Sequence, residues 1–365
     1  SIPMASSSNG GYGGTAAHSP PRTQHVAVEM RSPLRVQVYE EASGLAPPPP
    51  VDAAESAVMR RSLEANVVLS AAKAVVAVQS GSLAVLASLL DSALDLVSQL
   101  VLVATAAAAK NRAGGDYPAG RARLEPVGVV VCAMLMGLSA AFVLLAAAQQ
   151  LAALARGDAV DVDVSLANGA TMAVAVLWKA ALYAWIAVRH DALVQSHPAV
   201  AAVNQDHFND VLSNVVALGA AVLAARYGLA YADPVGAIGI SLYIAYSWLE
   251  TGIEQVQHLV GRSADPAFLE ELRACAGAYS DAMQCDIVRA YHFGPRYLVE
   301  LEMVMDAGTP LKVSHDLALD LQQRVEAIAD VERAFVHVDY DFRDVDEHDV
   351  QSWSPGHPGA KPALL

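Results

Sequence analysis

The apolar positions follow two regimes that change near residue 260. Before it they form long continuous stretches; after it they form short, regularly spaced patterns. A helix needs roughly 20 apolar residues to cross a hydrocarbon layer about 30 Å thick. Six stretches qualify, several with one or two polar interruptions: Leu63 to Ser80, Leu83 to Ala109, Val127 to Ala155, Leu166 to Val188, Val203 to Ala225 and Tyr231 to Gly252. Beyond residue 260, "PAFLEELRACAGAY" predicts a short helix. "QCDIVRAYHF" and "RYLVELEMVM" alternate around Gly294-Pro295, a turn signal that predicts a hairpin. Val299, Leu301 and Met303 take one face of the second strand, Glu300 and Glu302 the other. "SHDLALDLQQRVEAIA" sets Leu317, Leu321, Val325 and Ile328 on one helical face, with Ser314 as N-cap, and "ERAFVHVDYDF" reads as a last strand.

These elements predict an α-helical membrane protein. A six-helix transmembrane bundle spans 59–259. A small cytosolic α+β domain spans 260–345, with the order helix, strand, strand, helix, strand and its helices on one face of a three-stranded sheet. Residues 1–58, with "GGYGG", "SPPR" and "APPPPVD", cannot bury a core and read as a disordered cytosolic tail. Residues 346–365 read as a second tail.

Composition agrees: 54% of the 365 residues are hydrophobic and 17% charged, against about 25% charged in soluble domains. The net charge of -15 argues against a nucleic-acid partner, which calls for basic patches. Cys132, Cys275 and Cys285 form no CxxC spacing or disulfide framework. Basic residues bias one side of the membrane: Arg60 and Arg61 before the first stretch, Lys110, Arg112, Arg121 and Arg123 after the second, Arg189 after the fourth. The opposite side has Arg156 and Arg226, with Asp158, Asp161 and Asp163. The positive-inside rule then puts both termini in the cytosol.

Against this background the carboxylates are anomalous. Asp91 and Asp95 sit inside "LASLLDSALDLVSQL", and Asp206 and Asp210 inside "NQDHFNDVLSNVV". An aspartate at a bilayer centre costs about 2.5–3.5 kcal/mol on insertion scales, so it is retained for a cation, a polar cavity or a partner. Residues i and i+4 share a helix face, about 6 Å apart at Cβ. If the second and fifth stretches face each other, four carboxylates converge. Left empty they take up protons, because like charges raise one another's pKa; a divalent cation displaces those protons. Asp206 lies near the cytoplasmic end of its stretch, where a carboxylate can also reach the interface.

"SGSLAVLASLLDSALDL", "YPAGRARLEPVG", "NQDHFNDVLSN" and "AYHFGPRYLVELEMV" together resemble the cation diffusion facilitator family, and within it the manganese branch that includes plant and algal metal tolerance proteins. The resemblance runs from about residue 60 to 345. It implies a homodimeric exporter with six transmembrane helices and a cytosolic ferredoxin-like (αββαβ) domain, exchanging a cytosolic divalent cation for protons. The ligands it implies are Asp91, Asp95, Asp206 and Asp210. Zinc transporters of the family typically carry HxxxD in the fifth span, where this chain has Asp206 and Asp210. Carboxylate oxygens suit Mn(II), whereas imidazole suits zinc, so Mn(II) is the favoured cargo, with Zn(II) and Fe(II) as alternatives.

Supporting positions follow. Asn66 and Lys73 lie seven residues apart on nearly one face of the first stretch; Asn66 either bonds a neighbouring helix or offers its carbonyl to the cation, and Lys73 can pair with a carboxylate. His207 points about 100° away from Asp206, so it reads as a residue beside the site or at an interface. Ser92 and Ser98 are expected to bond their own helix, and Asn214 to extend the polar face. His315, His337 and Asp339 match positions that bind further metal in some zinc-transporting relatives; the other reading is an exposed surface set, short of the four ligands zinc expects. No Walker motif is present, so no nucleotide cofactor is expected and proton coupling is the economical drive. An intramembrane aspartyl protease would need only two carboxylates, leaving the i,i+4 doubling unexplained; a channel or a metal sensor is the third class. An endomembrane, vacuolar or Golgi-type, is favoured over the plasma membrane.

Overall fold

The computed structural model describes residues 51–80, 83–110, 116–157 and 166–342. The tails at 1–50 and 343–365, and the loop residues Arg112, Asp158, Asp161 and Asp163, lie outside the described residues. Seven helices come first: α1 (Val51–Ser80), α2 (Leu83–Ala109), α3 (Leu124–Ala155), α4 (Leu166–Arg189), the short α5 (Asp191–Ser196), α6 (Pro198–Tyr227) and α7 (Ala232–Leu259). Then follow α8 (Pro266–Gly277), β1 (Gln284–Phe293), β2 (Arg296–Val304), α9 (Leu311–Glu326) and β3 (Val331–Asp339). Helix α1 starts at Val51, so residues 51–58, read above as tail, are helical. They are held there because Glu55, Val58 and Met59 are buried against the bundle.

Small residues let the helices approach. A methyl group on Gly128 of α3 would stand 1.9 Å from Thr105 Oγ1 of α2, so the α3 backbone packs directly on that side chain. Polar side chains clamp α6 to α7: Gln205 Nε2 donates to Ser247 Oγ at 2.9 Å, and Thr251 Oγ1 donates to Gln205 Oε1 at 2.8 Å. At the start of α6, Pro198 fits the first turn, where its missing N–H costs nothing. The neighbouring Ala199 N–H is capped from another helix, by Glu125 Oε1 of α3 at 3.1 Å. Val58, Met59, Leu102, Val129, Cys132, Ile186, Val200 and Trp248 form one apolar core.

Outward faces are also greasy: Leu138, Phe142 and Leu145 of α3 are exposed, Phe142 by 63%. Among the described residues, three stretches are long and apolar enough to cross a membrane: Leu89–Ala109, Leu124–Ala155 and Pro198–Tyr227. Charges in α1 (Arg60, Arg61, Glu64, Lys73) and the Ser, Tyr and Gly mixed into α7 dilute the hydropathy of those helices.

The second part has its own core. The sheet runs β1-β2-β3, with β1 antiparallel and β3 parallel to β2. Helices α8 and α9 bring Leu272, Ala276, Leu321 and Val325 onto Val299, Leu301, Met303 and Ala334. Each large side chain buried there contributes about 1.5–3 kcal/mol. On the opposite face Arg289 pairs with Glu302 at 3.2 Å and the Tyr291 hydroxyl donates to Glu300 at 2.6 Å. Helix α9 begins at Leu311 with Pro310 before it, so Ser314 is not its N-cap; the Ser314 hydroxyl donates back to the Leu311 carbonyl.

The two parts meet at the β1–β2 turn. Gly294 takes φ +76°, and a methyl group there would stand 3.1 Å from the Ala122 carbonyl oxygen in the α2–α3 loop. Beside it, the Arg123 guanidinium lies 3.9 Å from the Phe293 ring centroid. The chain after α7 continues along β1, with Ala264 N–H donating to Ala290 O and His292 N–H to Arg262 O, both at 2.9 Å. His258 and His292 stack there at 3.8 Å between ring centroids.

Candidate metal centre

The site is a cluster of polar side chains inside the apolar bundle, assembled from α1, α2, α4 and α6. From α6, Asp206 enters two turns in and is 2% exposed; neither of its carboxylate oxygens has a hydrogen-bond partner. Asp210 follows one turn later, half-buried. From α2 comes Asp95, 4% exposed, with Oδ1 likewise unpartnered. An unsatisfied buried carboxylate oxygen is costly, and here Asp206 has two and Asp95 one, with Asp210 beside them. Their charges are met by a residue that sequence reasoning missed: Lys179 of α4, 4% exposed, whose ammonium donates to Asp95 Oδ2 at 3.3 Å and, at short range, to Asp210 Oδ2. A lone lysine in "TMAVAVLWKAALYAWIAV" is the same anomaly that singled out the aspartates.

Asp91 is placed differently. It is exposed at the surface of the chain, one turn from Asp95, with the Ser139 hydroxyl of α3 as its hydrogen-bonding neighbour. It stays close enough to Asp210, Lys73 and Lys179 to interact with their charges. The buried cluster is thus Asp95, Asp206 and Asp210, with Asp91 at its rim.

Of the two readings of His207, the structure agrees with a place beside the site: its ring is fully buried. One ligand atom each from Asp206, His207 and Asp210 lies within 4.8 Å of the others, and among the described residues this is the only such group of three His, Cys, Asp or Glu. The rotation of about 100° between neighbours on a helix is offset by the reach of the imidazole. His207 Nε2 pairs with Ser62 Oγ of α1 at 2.7 Å, and Ser62 Oγ accepts from Gln99 Nε2 of α2 at 3.3 Å. This network ties α1, α2 and α6 together behind the carboxylates, and His207 Nδ1 has no partner.

Asn66 of α1 is buried with both amide atoms unpartnered, as are both amide atoms of Asn209 on α6. Lys73 donates to Ser92 Oγ at 2.7 Å, so Ser92 reaches across to α1 rather than bonding its own helix; its carbonyl also accepts from Ser70 Oγ. Ser98 does bond within α2, to the Asp95 carbonyl, and Asn214 donates to the Asp210 carbonyl.

Among the described residues, His315, His337 and Asp339 do not form a group of three ligands within reach of one another. His315 is exposed on α9 beside Asp316; His337 is exposed on β3, and Asp339 Oδ1 accepts from the Tyr340 N–H.

A carboxylate-rich cluster crossing apolar helices, holding oxygens with no protein donor, is chemistry for a cation. Comparison with known proteins agrees. The model of the cation efflux transmembrane domain matches residues 59–260. This chain belongs to the cation efflux family. Metal tolerance protein 5 of Oryza sativa subsp. japonica is 38% identical over 295 residues, covering 80% of this chain and 69% of its own. Metal tolerance protein 11 of Arabidopsis thaliana is 36% identical over 296 residues, covering 80% and 73%. Metal tolerance protein 7 of Oryza sativa subsp. japonica is 37% identical over 287 residues, covering 78% and 71%. This cation efflux protein is a membrane transporter that exports divalent metal cations, not an enzyme. That sets aside the aspartyl-protease alternative, and it gives the doubled carboxylates a cargo.

Proposed function

We propose that the protein exports Mn(II) from the cytosol in exchange for protons, through Asp91, Asp95, Asp206 and Asp210. The observation that carries this reading is Asp206: two buried carboxylate oxygens with no donor, facing Asp210 and near Asp95. Oxygen donors of this kind suit a hard cation. In the loaded state each aspartate is a ligand; on the return the carboxylates that no ammonium neutralises can carry protons, because crowded carboxylates favour protonation once the metal leaves. The working unit is a homodimer, with α1, α2, α3, α4, α6 and α7 as six membrane spans, and α8 to β3 as a ferredoxin-like cytosolic domain. Both termini are cytosolic, and the membrane is an endomembrane. The exposed apolar face of α3 supports a membrane span, and the basic residues of the α2–α3 loop support the cytosolic termini.

One observation favours a second cargo. His207 stands with Asp206 and Asp210, and an imidazole nitrogen is a ligand zinc prefers. Its Nε2 is engaged by Ser62, so one imidazole nitrogen, Nδ1, stands against the carboxylates of Asp95, Asp206 and Asp210, and that balance favours manganese.

Uptake into proteoliposomes under an imposed pH gradient tests both. Mn(II) uptake should exceed that of Zn(II) and Fe(II), collapse with the gradient, and be lost in Asp91→Ala and Asp210→Ala. Zinc uptake in preference would replace the cargo. Uptake indifferent to the gradient would remove proton exchange.

A further inference from the structure

Lys179 has no part in the four-carboxylate reading, yet it is the best-placed charge in the cluster. It is the one basic residue of α4 before the terminal Arg189. Its ammonium bridges Asp95 on α2 to Asp210 on α6, one oxygen from each of the two helices that would share the metal. It bonds neither Asp91, which is exposed, nor Asp206, which is buried with both carboxylate oxygens unpartnered.

We propose that Lys179 is a tethered stand-in for the transported cation: its ammonium bridges Asp95 and Asp210 when the site is unloaded, and the arriving divalent ion displaces it from those same oxygens. This rests on the four-carboxylate reading. Three physical points support it. Unloaded carboxylates in a low-dielectric interior need a compensating charge, and Lys179 supplies one without solvent. An ammonium is a point charge on a flexible four-carbon stem, so it can withdraw by side-chain rotation while α4 stays in place. A divalent ion carries twice its charge, so at equal distance the attraction to each oxygen doubles, and this gain is set against the larger cost of stripping its water. Asp206 then has a distinct place: its free oxygens receive the ion first, and Asp210 and Asp95 follow as Lys179 leaves. A competitor built into the site weakens metal binding and, by the same amount, makes release easier.

The test uses the full chain, reconstituted, as wild type, Lys179→Met and Lys179→Arg. Mn(II) is the probe, read by equilibrium binding, by the Mn(II)-induced rise in melting temperature, and by the KM and kcat of uptake. Removing a close charged competitor should tighten Mn(II) binding by about tenfold or more, lower KM, and lower kcat by a similar factor. Lys179→Arg keeps the charge and should bind Mn(II) close to wild type. A residue that merely held the helices together would weaken binding and kcat at once. Lys179→Met that binds Mn(II) as wild type does, or more weakly, therefore overturns the proposal. If Lys179→Met folds only while Mn(II) is present, metal replaces ammonium as the idea requires; if it fails to fold even with Mn(II), the idea is overturned. Asp206→Asn and Asp210→Asn separate this from the underlying reading. If they bind Mn(II) unchanged, the four-carboxylate site itself is wrong. If they lose binding while Lys179→Met weakens it, only the stand-in role falls.

Discussion

The helical bundle and the sheet domain bury opposite things. Behind the sheet, Leu272, Leu301, Met303, Leu321 and Val325 are shielded by apolar neighbours. In the bundle, the shielded positions include Asn66, Asp95, Gln99, Asp206, His207 and Asn209, each with at least one polar atom that no protein group satisfies. Among the described residues, His292 is the one such case in the sheet domain. Burying unpartnered polar atoms lowers stability, and apolar packing raises it. The contrast therefore separates a region organised around a passing cation from a region organised around remaining folded.

Four substitutions probe that contrast, beginning with the largest effect. Asp206→Leu should cut Mn(II) uptake at least about a hundredfold, the upper range seen when groups that orient metal ligands are lost. At the same time it should raise the melting temperature of the metal-free protein, because a buried carboxylate without a donor is gone. A lower melting temperature would mean Asp206 is structurally satisfied. Leu321→Ala should do the reverse. It should destabilise the sheet domain by about 2–5 kcal/mol, visible in denaturant unfolding, with the KM for uptake unchanged. Gly294→Ala comes next. The left-handed φ costs a side chain about 1–2 kcal/mol, and the new methyl also meets the Ala122 carbonyl. Faster hydrogen exchange in both the hairpin and the α2–α3 loop would report it.

The smallest effect concerns His292. Burial, and then the neighbouring His258, push its pKa down to about 4. The folded protein thus holds it neutral, while the unfolded chain takes a proton near pH 6.5. Stability is complete above about 6.5 and falls as pH drops toward 4. His292→Phe should flatten that slope in melting curves taken across the range; an unchanged slope would place its origin elsewhere.

The sheet domain was the more legible part. "QCDIVRAYHF" and "RYLVELEMV" became strands because alternation with period two and a Gly-Pro break leave few other structures. Asp95, Asp206 and Asp210 stood out because a charge inside an apolar run is expensive. Lys179 carried that same signal but stood alone, without an i+4 partner to mark a face. The contribution of His207 could not be read from helix rotation, because a long side chain covers the gap that an angle between backbones suggests. Ser92 bonded across to Lys73 for a related reason: spacing along one helix says nothing about what a second helix presents. The early start of α1 at Val51 was hidden behind the prolines at 47–50, whose composition suited a tail.

The cap that Glu125 places on Ala199 acts as an end stop. Asp206 stands seven residues further along α6, about 10 Å by helical rise. Tilting or swivelling about Ala199 keeps that bond, whereas sliding along the axis breaks it. The height of Asp206 and Asp210 in the bundle is thus held by that carboxylate at the threshold, together with the Gln205 bonds to α7 and the His207 bond to α1.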